Sequence, residues 1–172
     1  MSKKVKIYLS DEGFGHIVRQ NAIHSELKKM MPDLQTTIQT EKHLEVAKKI
    51  FGKAEYISKH GNIIWIKKEN GSPDISKIQS FYEHYESRWD EYLLSEENTL
   101  NHDFVLSDFV YEPFDLANNK NIPIFGVAHF TWDWFFSKLY PPPLKSSLIK
   151  RFSDSANKAD VLYFPPLTPV EI

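Results

Sequence analysis

A chain of 172 residues with 41% hydrophobic and 14% aromatic side chains carries enough apolar material for one domain built on a single core. Its 21 basic and 23 acidic residues are interspersed and sum to a formal charge of −2, which leaves no extended basic face for nucleic acid. The absence of cysteine excludes disulfides and thiolate metal sites, no apolar run nears the length of a membrane span, and MSKKVKIYLS lacks the apolar core of a secretory signal, a combination compatible with a cytoplasmic protein.

Val5, Ile7 and Leu9 alternate with Lys4, Lys6 and Tyr8, which predicts a first strand. Gly13 and Gly15 follow, where backbone can take positive φ or approach a ligand closely, and His16 stands at the mouth of the turn. Ile17, Ala22, Ile23, Leu27 and Met30 or Met31 recur at helical spacing, so a helix begins here with its free N–H groups over the loop. A strand is predicted over 34–40, a helix over 41–51, short strands over 54–58 and 63–67, and a turn at Asn70-Gly71-Ser72-Pro73. Ser72 or Asp74 caps the long helix behind that turn, whose Ile75, Ile78, Tyr82, Tyr85, Trp89 and Tyr92 form one aromatic stripe, read as packing. A strand over 103–106, a helix over 113–120 and a strand over 122–127 come next. Pro141-Pro142-Pro143 breaks the chain before a helix over 144–159, and a last strand spans 161–164.

Strands spaced by helices predict an α/β, Rossmann-like, mainly parallel sheet of about six or seven strands flanked by helices. It occupies residues 1–164, and residues 165–172 read as the start of an interdomain linker or tail. Ligands of such sheets lie beyond the carboxyl ends of the strands, where the loops after residues 9, 108 and 127 fall.

Three segments carry a family resemblance. Gly13-Phe14-Gly15-His16 with Arg19 resembles the first βα turn of GT-B glycosyltransferases, particularly the GHGFGHATR-like opening of the glycosyltransferase-like domains found alone in bacteria and fused to sugar kinases such as arabinokinase. The first glycine-histidine pair of that pattern is replaced by Asp11-Glu12. Asp103-Phe-Val-Leu-Ser-Asp108 followed by Pro113 and by Asn121-Ile-Pro-Ile-Phe-Gly126 resembles the GT-B element in which a strand ends in Asp, a helix opens with Pro and a GIP-like turn leads into the next strand. His129-Phe130-Thr131-Trp132-Asp133-Trp134-Phe135 is similar to the N-F-S-W-D-F segment of the arabinokinase-type domains. Together with the long helix between them, the resemblance covers residues 4–140. A dinucleotide fold fits less well, because GxGxxG needs a glycine where Val18 stands.

The resemblance implies inverting transfer of a sugar from a nucleotide-diphosphate donor to an acceptor hydroxyl, with His16 as base and Asp108 as the carboxylate on its other ring nitrogen. Gly13, Phe14, Gly15, Arg19, His129, Thr131, Trp132 and Asp133 are the implied substrate contacts. No cofactor and no metal is required, since helix N-termini and loop N–H groups can meet leaving-group charge. A GT-B enzyme holds its donor chiefly in a C-terminal half, so the chain is expected to be the acceptor-side half, inactive alone. Its expected partners are that C-terminal half, in cis or in trans, and a small-molecule or glycan acceptor, with an exposed apolar patch where the halves meet. A non-catalytic sugar- or nucleotide-binding module of the same fold is the alternative, which Asp11-Glu12 favours, and a domain that docks a partner through 130–136 is a third.

Plainer readings stand beside each of these. The glycines also suit a tight turn, Asp108 a cap for the helix at Pro113, Arg19 a helix surface, and Trp132, Trp134, Phe135 and Phe136 a core. Histidines 24, 43, 60, 84 and 102 belong to no motif and read as surface or packing residues.

Overall fold

The computed structural model describes residues 2–59, 65–139 and 142–166. Its strands are β1 (Lys4–Leu9), β2 (Gln35–Gln39), β3 (Glu55–Ile57), β4 (Phe104–Asp108), β5 (Ile124–Val127) and β6 (Val161–Tyr163). Its helices are α1 (Phe14–Met30), α2 (Leu44–Phe51), α3 (Ile75–Ser87), α4 (Trp89–Glu97), α5 (Glu112–Asn119), α6 (Trp132–Ser137) and α7 (Ser146–Ala156). The strands form one sheet in the order β3-β2-β1-β4-β5-β6, and every neighbouring pair is parallel. The expected α/β, Rossmann-like sheet is therefore present with six strands. Strand order reverses between β1 and β4, so the crevice of such a sheet opens at their carboxyl ends.

Alternation along β1 divides the molecule. Val5, Ile7 and Leu9 pack with Ile17, Ile38, Ala47, Phe51 and Leu106 in an apolar layer beneath α1 and α2. The buried stripe of α1 is Ile17, Gln20 and His24, with Leu27 and Met31 packed against it. Ala22 is instead exposed, and so is Met30. His24 fits this layer because its Nε2 lies 2.9 Å from Thr36 Oγ1. Burial lowers the imidazole's proton affinity, and Lys28 adds to that.

The long aromatic helix leaves helical geometry at Arg88, at φ −103° and ψ 2°, and becomes α3 and α4. The spacing of three and four continues across the break. Ile78, Tyr82, Tyr85 and Trp89 thus join Phe109, Tyr111, Trp132, Phe136 and Phe152 in one aromatic core, where Tyr111 stacks on Phe152 with centroids 4.3 Å apart. Asp74 is the cap of α3 and accepts from Lys77 N. Residues 132–137, assigned to no element from the sequence, form α6, and the last helix is shorter than expected at Ser146–Ala156. Of the strand expected over 63–67, the described residues 65–67 carry an isolated antiparallel bridge between Lys67 and Pro73. Residues 63 and 64, Pro141 and 167–172 lie outside the described residues.

On the other face of β1, Lys6 is fully buried and pairs with Glu96 Oε2 at 2.7 Å. Lys59 Nζ reaches Glu96 Oε1 at 2.7 Å, and the Tyr8 hydroxyl donates to Oε2 at 3.4 Å. Burial pushes the Lys6 ammonium down against the opposing pull of Glu96. Burial also works against the Glu96 carboxylate, but the two lysines hold it below its ordinary range. Near the amino end of the sheet, His102 Nε2 lies 3.1 Å from Thr37 Oγ1, and burial, reinforced by Lys6, pushes the ring down to about 4.

Two outcomes follow for stability. Glu96→Ala leaves Lys6 charged and uncompensated and is expected to cost about 3–5 kcal/mol in urea unfolding, whereas Lys6→Met combined with Glu96→Leu recovers most of that loss. The unfolded chain binds a proton at His102 that the folded chain refuses between about pH 6.5 and about pH 4, so stability falls as pH drops through that window. His102→Gln should make this acid limb shallower when urea midpoints are compared at about pH 5 and about pH 7.

Candidate functional site

The turn after β1 is anchored by its own acidic residues. Asp11 Oδ1 accepts from Thr40 Oγ1 at 2.8 Å and from the backbone N–H groups of Glu41 and Lys42 at 3.2 and 3.1 Å, which ties the turn to the loop after β2. Glu12 Oε2 accepts from Trp65 N at 2.6 Å, and burial raises the carboxyl's proton affinity. Gly13 then sits at φ 139° and ψ 170°, a region open essentially to glycine alone, and starts α1 without a side-chain cap. Nothing lies within 4 Å of a Cβ built on Gly15, so the first turn of α1 is open to a ligand.

The turn after β4 supplies the second half of the site. Leu9 pairs with Asp108 in the parallel register, which sets the ends of β1 and β4 side by side. Ser107 Oγ donates to Val110 O at 2.7 Å and accepts from Val110 N at 3.1 Å, while Phe109 takes φ 48°, a left-handed conformation costly for an aromatic residue. This tight reversal keeps Asp108 fully buried with its carboxylate under α1. Asp108 Oδ1 lies 2.9 Å from His16 Nδ1 and also accepts from Arg19 Nη2, which is itself 3.2 Å from His16 Nδ1. Asp108 Oδ2 has no hydrogen-bond partner among the described residues. Because a carboxylate only accepts, the 2.9 Å contact with Asp108 places the hydrogen on His16 Nδ1, and the 3.2 Å approach of Arg19 Nη2 to that nitrogen is then a contact of two donors, not a hydrogen bond. Asp108 is not the cap of the helix at Pro113.

These turns floor an open cleft of about 990 Å³. Glu12, Gly13, Gly15, His16 and Arg19 line one side, Val18 and Ala22 extend it along α1, and Trp65, Phe109, Phe130, Trp132, Phe135 and Tyr163 form an apolar wall. His129 is exposed and lines the same cleft. Of the residues singled out from the sequence, the structure thus brings together Gly13, Gly15, His16, Arg19, His129 and Trp132, with Asp108 buried behind His16. Phe14 is exposed outside the cleft, its ring 4.9 Å from that of His43.

Thr131 and Asp133 line a separate cavity of about 870 Å³ between α6 and α7. Thr131 Oγ1 accepts from Trp134 N at 3.4 Å and so caps α6. Asp133 Oδ1 accepts from the Tyr111 hydroxyl at 2.9 Å, and that hydroxyl accepts from Trp132 N at 2.8 Å. Burial and then Asp133 hold the Tyr111 phenol well above its ordinary range, so it stays protonated.

Trp65 and Tyr163 belong to no recognised segment, Phe109 lies inside the segment that begins at Asp103 without having been singled out, and all three were missed as cleft residues. Val18 and Ala22 were legible: with Phe14 they repeat at four-residue spacing on the side of α1 away from Ile17 and His24, and apolar residues opposite a buried stripe mark a second contact. Among the described residues, no three His, Asp or Glu side chains are arranged to hold a metal ion, and no helix is long and apolar enough to cross a membrane.

No protein-family model matches the sequence, and no curated protein does. Solved structures do match. UGT89C1 of Arabidopsis thaliana complexed with UDP aligns over 95% of this chain and 45% of its own, at a TM-score of 0.55 and 11% identity. The glycotransferase of kitacinnamycin aligns over 73% of this chain and 30% of its own, at 0.53 and 16%. UGT73P12 of Glycyrrhiza uralensis complexed with glycyrrhetinic acid 3-O-monoglucuronide aligns over 95% and 44%, at 0.51 and 12%. The chain therefore spans less than half the length of these proteins, and its fold is the glycosyltransferase-like α/β fold found in one part of them.

Proposed function

We propose that this chain is the acceptor-binding half of a nucleotide-sugar-dependent glycosyltransferase that inverts configuration at the transferred sugar, with His16 as general base. The observation that carries the reading is the 2.9 Å contact of His16 Nδ1 with buried Asp108 at the edge of an open, aromatic-walled cleft. Asp108 fixes the ring and its tautomer, which leaves Nε2 for an acceptor hydroxyl. Nε2 takes the hydroxyl proton as that oxygen attacks the anomeric carbon. The bond from that carbon to the diphosphate breaks, and the nucleoside diphosphate departs with the electron pair.

The match in fold to UGT89C1, a structure complexed with UDP, supports a nucleoside diphosphate as the leaving group. The segments that resemble those of arabinokinase-associated domains support the same reaction class. The donor is held by a C-terminal half, in cis or in trans, which closes over the cleft. The wall of Trp65, Phe130 and Phe135 suits an acceptor with a flat apolar body and one reacting hydroxyl. We place the protein in the cytoplasm on its cysteine-free composition.

In the assembled two-half enzyme, His16→Ala is expected to lower turnover by about 10²–10⁴ with folding intact by circular dichroism. Asp108→Asn should lower turnover with a smaller change in acceptor affinity, and His84→Ala, on the exposed side of α3, should do neither. Near-normal turnover for His16→Ala would leave the non-catalytic binding module as the better reading. Acceptor binding is measurable on the 172-residue chain alone, because Trp65 and Trp132 line the cleft. A planar phenol should quench tryptophan fluorescence saturably, and Phe130→Ala should weaken its binding by about tenfold.

A further inference from the structure

Arg19 lies one helical turn after His16, so the geometry of α1 places both side chains over the end of β4. Both reach the same atom, Asp108 Oδ1, and the guanidinium also lies 3.2 Å from His16 Nδ1. A permanent cation at that position changes what the carboxylate does. Alone with an imidazole and removed from water, a carboxylate stabilises imidazolium, and a histidine already protonated cannot accept a proton. Asp108 is fully buried, so water does not screen it from the ring.

We propose that Arg19 is a positioning residue: by sharing Asp108 Oδ1 it cancels the carboxylate's charge at the ring and keeps His16 neutral, in the Nδ1–H form, while the hydrogen bond that orients the ring survives. The proposal rests on the reading of His16 as base and assigns Arg19 to the protein's own carboxylate, not to a substrate anion.

Among the described residues, the titratable groups that face His16 are few. Asp108 comes from β4, Arg19 from α1, Glu12 from the loop after β1, and His129 lines the same cleft from the loop after β5. Glu12 is held by Trp65 N and made harder to ionise by burial, which limits the negative charge it adds. His129 is exposed and therefore screened. Arg19 and Asp108 are the opposed charges in direct contact with the ring. Helix geometry gives the arrangement its precision: a guanidinium brought from another loop would need its own support to hold two contacts at once.

The test is the imidazole titration of His16 in the 172-residue chain, followed by long-range ¹H–¹⁵N NMR, with His16→Asn to assign the signals. The wild-type ring should be neutral and Nδ1-protonated at about pH 7. Arg19→Gln should raise its midpoint by about one unit or more, and Arg19→Lys, which keeps the charge, should return it most of the way. A merely structural Arg19 would change unfolding but not this midpoint. An unchanged or lowered midpoint in Arg19→Gln overturns the proposal. So does a wild-type ring that is charged or Nε2-protonated at about pH 7, a reading that needs no variant to fold. No transfer reaction enters the measurement, so normal turnover of His16→Ala in the assembled enzyme would sink the base reading while leaving the titration result to stand. Where both hold, the acid limb of kcat/KM should move to higher pH in Arg19→Gln.

Discussion

The parallel pairing of β1 with β4, Leu9 opposite Asp108, is the constraint on which the site depends. It sets two strand ends together at the point where strand order reverses, so the turns that follow share one crevice. A slip of one residue along either strand would move Asp108 to the other face of the sheet and away from α1. Gly13 and Phe109 complete the arrangement with two left-sided backbone turns, one free of strain because it is glycine and one held by Ser107. Packing beneath the sheet stabilises that strained reversal, as is common where a side chain must be aimed.

The two faces of the sheet solve different problems. Beneath α1 and α2 the layer is apolar and tolerates a neutral His24 bonded to Thr36. Across the sheet the buried Lys6 and Glu96 form a charged pair whose desolvation offsets much of its attraction, so its contribution lies in register more than in net stability. A strand that presented Lys6 to the apolar layer would strand an ammonium in hydrocarbon, which is a strong penalty against the wrong face.

Asp11 and Glu12 show how a departure from the pattern that a turn resembles can be structural. Both carboxylates turn back into protein, Asp11 toward the loop after β2 and Glu12 toward Trp65. Asp11 Oδ1 and Glu12 Oε2 thus serve backbone N–H groups that loops must otherwise leave to water. The acidity that favours a binding module in the sequence is in large part absorbed by the scaffold.

Alternation of strand and helix signals and the glycine turn determined the fold class from the sequence alone, because period and turn chemistry are local properties, whereas His16 and Asp108 were singled out as site residues only by the resemblance of their segments to GT-B glycosyltransferases. The aromatic stripe from Ile78 to Trp89 was equally legible, since spacing alone assigns it to a core. Tertiary structure decided what depends on through-space partners. Thr131 and Asp133 cap and brace α6 and line a different cavity from His16, because the Tyr111 hydroxyl, 22 residues away in sequence, takes up Asp133. Arg19 meets Asp108 across 89 residues, which no local pattern encodes. Trp65 and Tyr163 reach the cleft from segments without motifs, and the left-handed Phe109 is invisible in a sequence where glycine or asparagine would have announced the turn. Local residue order chose the elements, and the register of two distant strands chose which of their side chains meet.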